Sequence, residues 1–128
     1  FGATGLAGMA LGAILIGVSA KPATVSAATT SDGAVVVHLG LSAFSTTAVM
    51  VPLGGKLDFV DDSNIPHQLT YGVWNNGQTQ LATPANAPAL NNRAISSGSF
   101  EIGPFTTAGT YHILCVIHPG MELTVTVP

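Results

Sequence analysis

The sequence predicts an all-β protein, a Greek-key β-sandwich of seven or eight short strands that follows an N-terminal hydrophobic helix. Short runs rich in β-branched residues alternate with turn signals from Ala34 to the end of the chain. Two of these turn signals are Gly54-Gly55 and Ala108-Gly109. No repeat of fixed period is evident, and 128 residues correspond to a single domain after a leading segment.

Residues 1–20 carry no charged side chain and are rich in Gly, Ala, Leu and Ile. Three interpretations are open: a transmembrane helix, which needs about 20 apolar residues; a signal-peptide core cleaved near Val25-Ser26-Ala27; or a helix buried in an assembly. We expect a retained membrane or assembly helix. Gly8 and Gly12 have the spacing that permits close helix contact in lipid, although Gly is also common in weakly apolar helices.

Residues 21–33 contain Pro, Ala, Ser and Thr with almost no large apolar side chain, which predicts a linker. The β domain is therefore expected over residues 34–128. Within it, Val73–Ser97 is the longest irregular stretch, and we expect loops there with one short helical turn. Asp61-Asp62 is expected to form a solvated turn. The predicted strands are Ala34–Leu41, Thr46–Pro52, Lys56–Val60, His67–Gly72, Gly98–Ile102, Thr110–Cys115 and Leu123–Val127.

Charge is sparse, which excludes several classes of partner. Only 7% of residues are charged, and the formal net charge is -3. Without a basic patch, nucleic-acid binding is not expected. Such a small net charge also argues against strong electrostatic steering, so a docking surface would be apolar rather than charged. The single cysteine excludes an internal disulfide.

The end of the chain combines three metal-binding residue types on one short loop. Cys115 ends a predicted strand, and His118 and Met121 follow it at intervals of three residues. Pro119-Gly120 is a turn pair that reverses the chain between the last two. Thiolate, imidazole and thioether suit copper, which is commonly bound by two His, one Cys and a weak axial Met. His67, which follows a proline, is the candidate second imidazole.

Each candidate ligand also has a structural interpretation. A lone Cys115 would more often be a small buried hydrophobe, His118 a surface-loop histidine, Met121 a core residue and His67 a structural histidine. Their joint spacing favours a single metal site made by all four.

Two other histidines compete for the role of second imidazole. His112 lies three residues before the cysteine on the same strand, so alternation directs it to the opposite face. His38 lies in the first strand without a partner motif. Trp74, Tyr71 and Tyr111 are expected to pack in the core or at its rim rather than to relay electrons.

The C-terminal pattern resembles a known family. Gly109-Thr110-Tyr111 followed by Cys115-x-x-His118-Pro119-x-Met121 is similar to the signature of the cupredoxins, in the short-loop version found in amicyanin. The resemblance spans about residues 34–127 and includes Phe44, Val51–Val60 and Pro66-His67. The chain departs from it at Gln68 and Asp61, where the family often has Asn.

The resemblance implies a type 1 blue copper protein that carries one electron between larger redox partners. The expected partners are a cytochrome or a membrane respiratory or photosynthetic complex, without nucleic acid or a small-molecule substrate. The protein is expected to be anchored in a membrane by residues 1–20, with the copper domain on the periplasmic or extracellular side. The backbone N–H after His67 is a candidate donor to the thiolate.

An enzyme is not expected, because Met121 and a packed loop would fill the position that a catalytic metal leaves open. The single cysteine excludes a dinuclear copper centre, and the absence of His-x-His pairs excludes a multicopper oxidase. Two non-enzymatic alternatives remain open: a structural β-sandwich subunit of a membrane complex or filament, and a copper delivery or storage protein.

Overall fold

The computed structural model describes Thr29 and residues 33–128, and these residues form nine strands without a helix. The predicted hydrophobic helix (residues 1–20) lies outside the described residues, as does nearly all of the predicted linker. In the part of the chain that is described, no helix has the length and hydropathy needed to cross a membrane.

The strands belong to two sheets. One has the order β1-β3-β7; the other has the order β2-β9-β8-β4-β5, with β6 paired to β4. In chain order the strands are β1 (Val35–Leu39), β2 (Ala48–Met50), β3 (Leu57–Asp61), β4 (His67–Asn75), β5 (Gln78–Leu81), β6 (Arg93–Ile95), β7 (Gly98–Ile102), β8 (Gly109–Cys115) and β9 (Glu122–Val127).

The core lies between the two sheets and confirms the prediction of an all-β sandwich. Burial alternates along β1 and β9, because successive side chains of a strand point to opposite faces. Phe59 of β3 is fully buried and packs against Phe100 of β7, with ring centroids 5.4 Å apart. Burial of such a ring stabilises the fold by about 1.5–3 kcal/mol.

The prediction for Val73–Ser97 is confirmed for residues 82–92, which are irregular, and is wrong for the rest, because the stretch also contains the end of β4, two further strands and no helical turn. β4 continues to Asn75, and β5 returns beside it with Asn75 opposite Gln78. The two residues between them, Asn76 and Gly77, have φ angles of 52° and 78°. Asn-Gly with two positive φ angles is the preferred two-residue hairpin connection. With β5 and β6, the described residues form nine strands, where seven or eight were predicted.

The solvated turn predicted at Asp61-Asp62 is correct for Asp62 and wrong for Asp61. Asp62 is exposed, but Asp61 is the last residue of β3 and only 2% exposed. The cause is strand alternation, since Asp61 falls on the same face as Leu57 and Phe59, which are fully buried.

The sheet topology brings three chain segments to one end of the sandwich. β4 begins at His67, and β8, its antiparallel neighbour, ends at Cys115 with Leu69 as its register partner. The connection from β8 to β9, residues 116–121, therefore lies at the end where β4 starts.

Candidate metal centre

Three of the four predicted ligands come together in the structure. His67, Cys115 and His118 each offer one ligand atom, and these atoms all lie within 4.8 Å of one another. Cys115 Sγ is 3.3 Å from His118 Nδ1. The rings of His67 and His118 have centroids 4.8 Å apart. Residues 48 positions apart in sequence (115 minus 67) thus meet because β4 and β8 are adjacent strands.

His67 is held so that one ring nitrogen is anchored and the other is free. Its Nε2 lies 2.9 Å from the carbonyl oxygen of Gly40. A carbonyl oxygen only accepts hydrogen bonds, so Nε2 carries the proton and Nδ1 keeps the lone pair. Nδ1 is buried and has no hydrogen-bond partner among the residues that the structure describes. A histidine whose second nitrogen is bound to a backbone carbonyl is a usual arrangement for a metal ligand.

Burial also keeps the His67 imidazole neutral. Desolvation by the surrounding protein lowers the pKa of His67, because it disfavours the charged ring. The negative charge of Asp61 and the hydrogen bond to Gly40 raise the pKa, and His118 lowers it, but burial prevails. The neutral ring is the form that binds metal ions.

Cys115 is the last residue of β8, and its side chain is completely buried. The backbone N–H of Gln68 donates to Sγ at 3.4 Å. This contact confirms the prediction that the N–H following His67 faces the sulfur, and it survives the replacement of the usual Asn by Gln because it uses the backbone. A hydrogen bond to a thiolate stabilises its negative charge and weakens its donation to a metal.

The loop between β8 and β9 is closed by its own backbone. Cys115 N–H donates to the Met121 carbonyl at 3.1 Å, and Met121 N–H donates to the His118 carbonyl at 3.0 Å. Gly120 has a φ of 81°, as the predicted turn requires. Met121 is buried at the end of this loop and belongs to the hydrophobic core.

His118 lies at the edge of the grouping and is only partly buried. The residues on either side of it, Ile117 and Pro119, are exposed. The side chain that contacts the sulfur therefore also reaches the protein surface, and its surroundings there are apolar.

The two competing histidines lie elsewhere. His38 is exposed, and its Nδ1 is 2.9 Å from Asp62 Oδ2. His112 is also exposed, and its Nδ1 is 3.4 Å from Thr124 Oγ1. The prediction that alternation directs His112 away from Cys115 is confirmed.

Sequence reasoning missed two residues that contact the grouping. The first is Gly40, which acts through its carbonyl oxygen; every residue type carries that group, so no sequence signal marks it. The second is Trp74, whose indole Nε1–H donates to the Cys115 carbonyl at 3.1 Å while its backbone N–H donates to Glu122 Oε2 at 2.9 Å. Trp74 was expected only to pack.

The donor set fits a copper ion. Leaving the buried Nδ1 of His67 without a partner costs on the order of 1–3 kcal/mol, which a ligand at that atom would offset. Among the common metals, copper and zinc are the two that bind well to a combination of thiolate sulfur and imidazole nitrogen. Cys115 and His67 are almost completely buried, so solvent has little access to their side chains.

Comparison with known proteins agrees with this grouping. No protein-family model matches the chain. The plastocyanin of Ulva prolifera is 28% identical over 90 residues, which cover 69% of this chain and 89% of that protein. The plastocyanin of Ulva arasakii is 27% identical over the same length.

Solved structures share the fold. A reduced-state structure of an amicyanin mutant superposes with a TM-score of 0.57 at 24% identity, covering 77% of this chain and 86% of the other. A purple cupredoxin from Nitrosopumilus maritimus gives a TM-score of 0.55 at 20% identity, covering 73% and 98% respectively. The plastocyanin-like sequence, the amicyanin-like fold and the grouping of His67, Cys115 and His118 together support the predicted resemblance to the cupredoxins.

Proposed function

We propose that this protein is a one-electron carrier that uses a single copper ion bound by His67, Cys115, His118 and Met121. The observation that carries the proposal is the unpartnered buried Nδ1 of His67, which lies within 4.8 Å of the ligand atoms of Cys115 and His118. When bound, copper supplies reversible exchange of one electron between Cu(I) and Cu(II). By its place in the loop, Met121 would complete the ligand set with its thioether sulfur.

The protein's contribution is to hold the ligands in one arrangement for both oxidation states. His67 is fixed by Gly40, and Cys115 is fixed by the pairing of β8 with β4. The backbone bonds of the loop tie His118 and Met121 to the same frame. Ligands that do not move between the two states keep the reorganisation energy small, so electron transfer is fast.

His118 is the proposed point of electron transfer. It is the ligand that is only partly buried, and the exposed apolar side chain of Ile117 adjoins it. The chain's low charge makes an apolar contact with the redox partner the better match. The proposed partners are a cytochrome or a membrane respiratory or photosynthetic complex.

An electron carrier of this kind is not an enzyme. In this proposal Met121 and its loop would fill the position that a catalytic metal leaves open for substrate. Plastocyanin-like and amicyanin-like cupredoxins are electron carriers, and this chain resembles both.

The proposal extends to membrane attachment through residues 1–20, with the copper domain on the periplasmic or extracellular side. Support comes from the absence of charged residues in that segment. Detergent-phase partition of the full chain tests it: we expect the full chain in the detergent phase and a chain beginning at Lys21 in the aqueous phase. Aqueous partition of both would contradict the attachment.

Visible spectroscopy of the copper-loaded protein tests the carrier function. We expect an intense sulfur-to-copper charge-transfer band that disappears on reduction with ascorbate and returns on reoxidation. Cys115→Ser should abolish the band, whereas the matched variant His112→Ala should keep it. A band that survives Cys115→Ser, or its absence from the unmodified protein, would contradict the proposal. Rapid loss of copper to a chelator would favour a delivery protein instead.

A further inference from the structure

Asp61 is a buried carboxylate with one oxygen in use and one oxygen free. Its Oδ1 accepts hydrogen bonds from the backbone N–H of Ser63 at 3.0 Å and from Ser63 Oγ at 2.6 Å. Its Oδ2 is buried and has no hydrogen-bond partner within the described part of the chain. Neither contact to Oδ1 needs a proton on the carboxyl group, because an ionised carboxylate acts as an acceptor only. The residue is 2% exposed, so water screens its charge poorly.

The position of Asp61 links it to the metal centre through the sheet. Asp61 is the register partner of Leu39 in the parallel β1–β3 pair. The residue after Leu39 is Gly40, whose carbonyl oxygen holds Nε2 of His67 at 2.9 Å. The buried carboxylate of Asp61 is therefore attached one register position from Gly40, the residue that fixes His67.

Asp61 also organises the segment that leads to His67. Ser63 Oγ, which donates to Asp61, in turn accepts the backbone N–H of Ile65 at 3.1 Å. Two residues later the chain enters β4 at His67. Any test of the charge must therefore leave these hydrogen bonds intact, and Asn does so because its side-chain oxygen can accept the same two donors.

We infer that Asp61 is a positioning residue whose buried negative charge lowers the reduction potential of the metal centre. The inference rests on the proposed copper function. The oxidised centre carries one more positive charge than the reduced centre, so a nearby anion stabilises the oxidised form more. Asp62, the next residue, cannot act comparably: its side chain is 64% exposed, and it is paired with His38.

The test compares the midpoint potentials of Asp61→Asn and Asp62→Asn in the copper-loaded protein. Both variants remove one negative charge from adjacent positions, one buried and one exposed. For Asp61→Asn we expect the ratio of reduced to oxidised protein at a fixed potential to rise about tenfold. For a one-electron couple this corresponds to a midpoint potential that is higher by about 59 mV. For Asp62→Asn we expect a change of less than about twofold. Asp61→Ser, which is also neutral, replaces Asp61→Asn if the Asn variant does not fold, and the amide exchange described below then shows whether the loop is still intact.

A second measurement separates charge from loop geometry without copper. Amide hydrogen exchange at Ser63 and Ile65 in the metal-free protein should be unchanged in Asp61→Asn. A raised potential accompanied by lost protection at these amides would overturn the charge assignment in favour of a loop effect. Equal potentials for wild type and Asp61→Asn, with the visible band present, would overturn the inference and leave the proposed function standing. No band and no one-electron couple in the unmodified protein would overturn both.

Discussion

The interior of this sandwich contains two sets of buried polar side chains that differ in what their polar atoms contact. Tyr71 donates its hydroxyl to the Pro88 carbonyl at 2.7 Å, and Tyr111 donates its hydroxyl to the Thr107 carbonyl. At the candidate metal centre the opposite holds, because Nδ1 of His67 has no hydrogen-bond partner among Thr29 and residues 33–128. The tyrosine hydroxyls find their hydrogen-bond partners within the chain, whereas the buried nitrogen of His67 does not.

The difference separates structural from functional polar groups on physical grounds. A buried polar atom without a partner costs on the order of 1–3 kcal/mol, whereas a satisfied one contributes about 1 kcal/mol. Folding alone would therefore favour an apolar side chain over His67. The free-energy cost of the unpartnered His67 nitrogen is offset only when a ligand binds to it. Metal binding should therefore stabilise the fold at His67, whereas the contribution of the tyrosines should not depend on the metal.

The largest expected effect is the gain in stability on copper binding. A metal that binds only the folded state, at a free concentration 1,000 times its dissociation constant, adds about 4 kcal/mol to the free energy of unfolding. Denaturant titration with and without copper measures this gain. Cys115→Ser should lose most of it, while Tyr71→Phe should show the full gain. An equal gain in both variants would remove the distinction between the two sets of residues.

The next effect in size is the loss of a satisfied tyrosine contact. Tyr71→Phe removes the hydroxyl and leaves the Pro88 carbonyl, which is buried, without this donor. We expect the metal-free protein to lose about 1–2 kcal/mol of unfolding free energy. The visible spectrum of the copper-loaded variant should be unchanged. An altered charge-transfer band would show that Tyr71 belongs to the metal centre after all.

Alkaline pH should produce a smaller effect through the same residue. Burial raises the pKa of Tyr71 above its ordinary value near 10, with a further contribution from Tyr111. The folded state then holds the phenol proton to higher pH than the unfolded state does. Stability from this group is complete below about pH 10 and decreases above it, by up to about 1.4 kcal/mol per pH unit. Unfolding titrations at pH 9 and pH 11 should show a smaller decline in Tyr71→Phe; an identical decline would contradict the assignment.

Sequence alone predicted most of the sandwich and the three residues that meet at the candidate metal centre, and the reasons are local. Cys115, His118 and Met121 lie within one loop, so their spacing is visible directly. His67 was found by the ligand that the loop lacked and by its preceding proline. The hairpin at Asn76-Gly77 was missed although its turn signal is in the sequence, because the polar residues around it suggested loops.

Other features could not be predicted because they depend on backbone atoms from distant segments. The carbonyl of Gly40 anchors His67 across 27 positions, and any residue type there would offer the same oxygen. Trp74 offered no sequence signal for its hydrogen bond to the Cys115 carbonyl. The burial of Asp61 was different: its alternation with Leu57 and Phe59 could have indicated it, but the adjacent Asp62 suggested a solvated turn.

The smallest effect on stability, and the sharpest test of where electrons leave, concerns an exposed apolar side chain beside His118. Ile117 is 48% exposed, so Ile117→Ser should change the unfolding free energy by no more than about 0.5 kcal/mol. Because an apolar contact surface excludes water around the partly buried ligand, this variant should nevertheless slow electron exchange between reduced and oxidised copies several-fold, as measured by NMR line broadening.

Leu81→Ser is the matched control. Leu81 is 60% exposed on β5, where its register partner is Gly72, five positions beyond His67 on β4. The same apolar-to-polar change there should leave the exchange rate unaltered. Equal slowing by both variants would indicate a general surface effect, and no slowing by Ile117→Ser would mean that electrons leave by a route other than His118. Slowing by Ile117→Ser alone would show that electrons pass between the buried candidate ligands and the protein surface through His118.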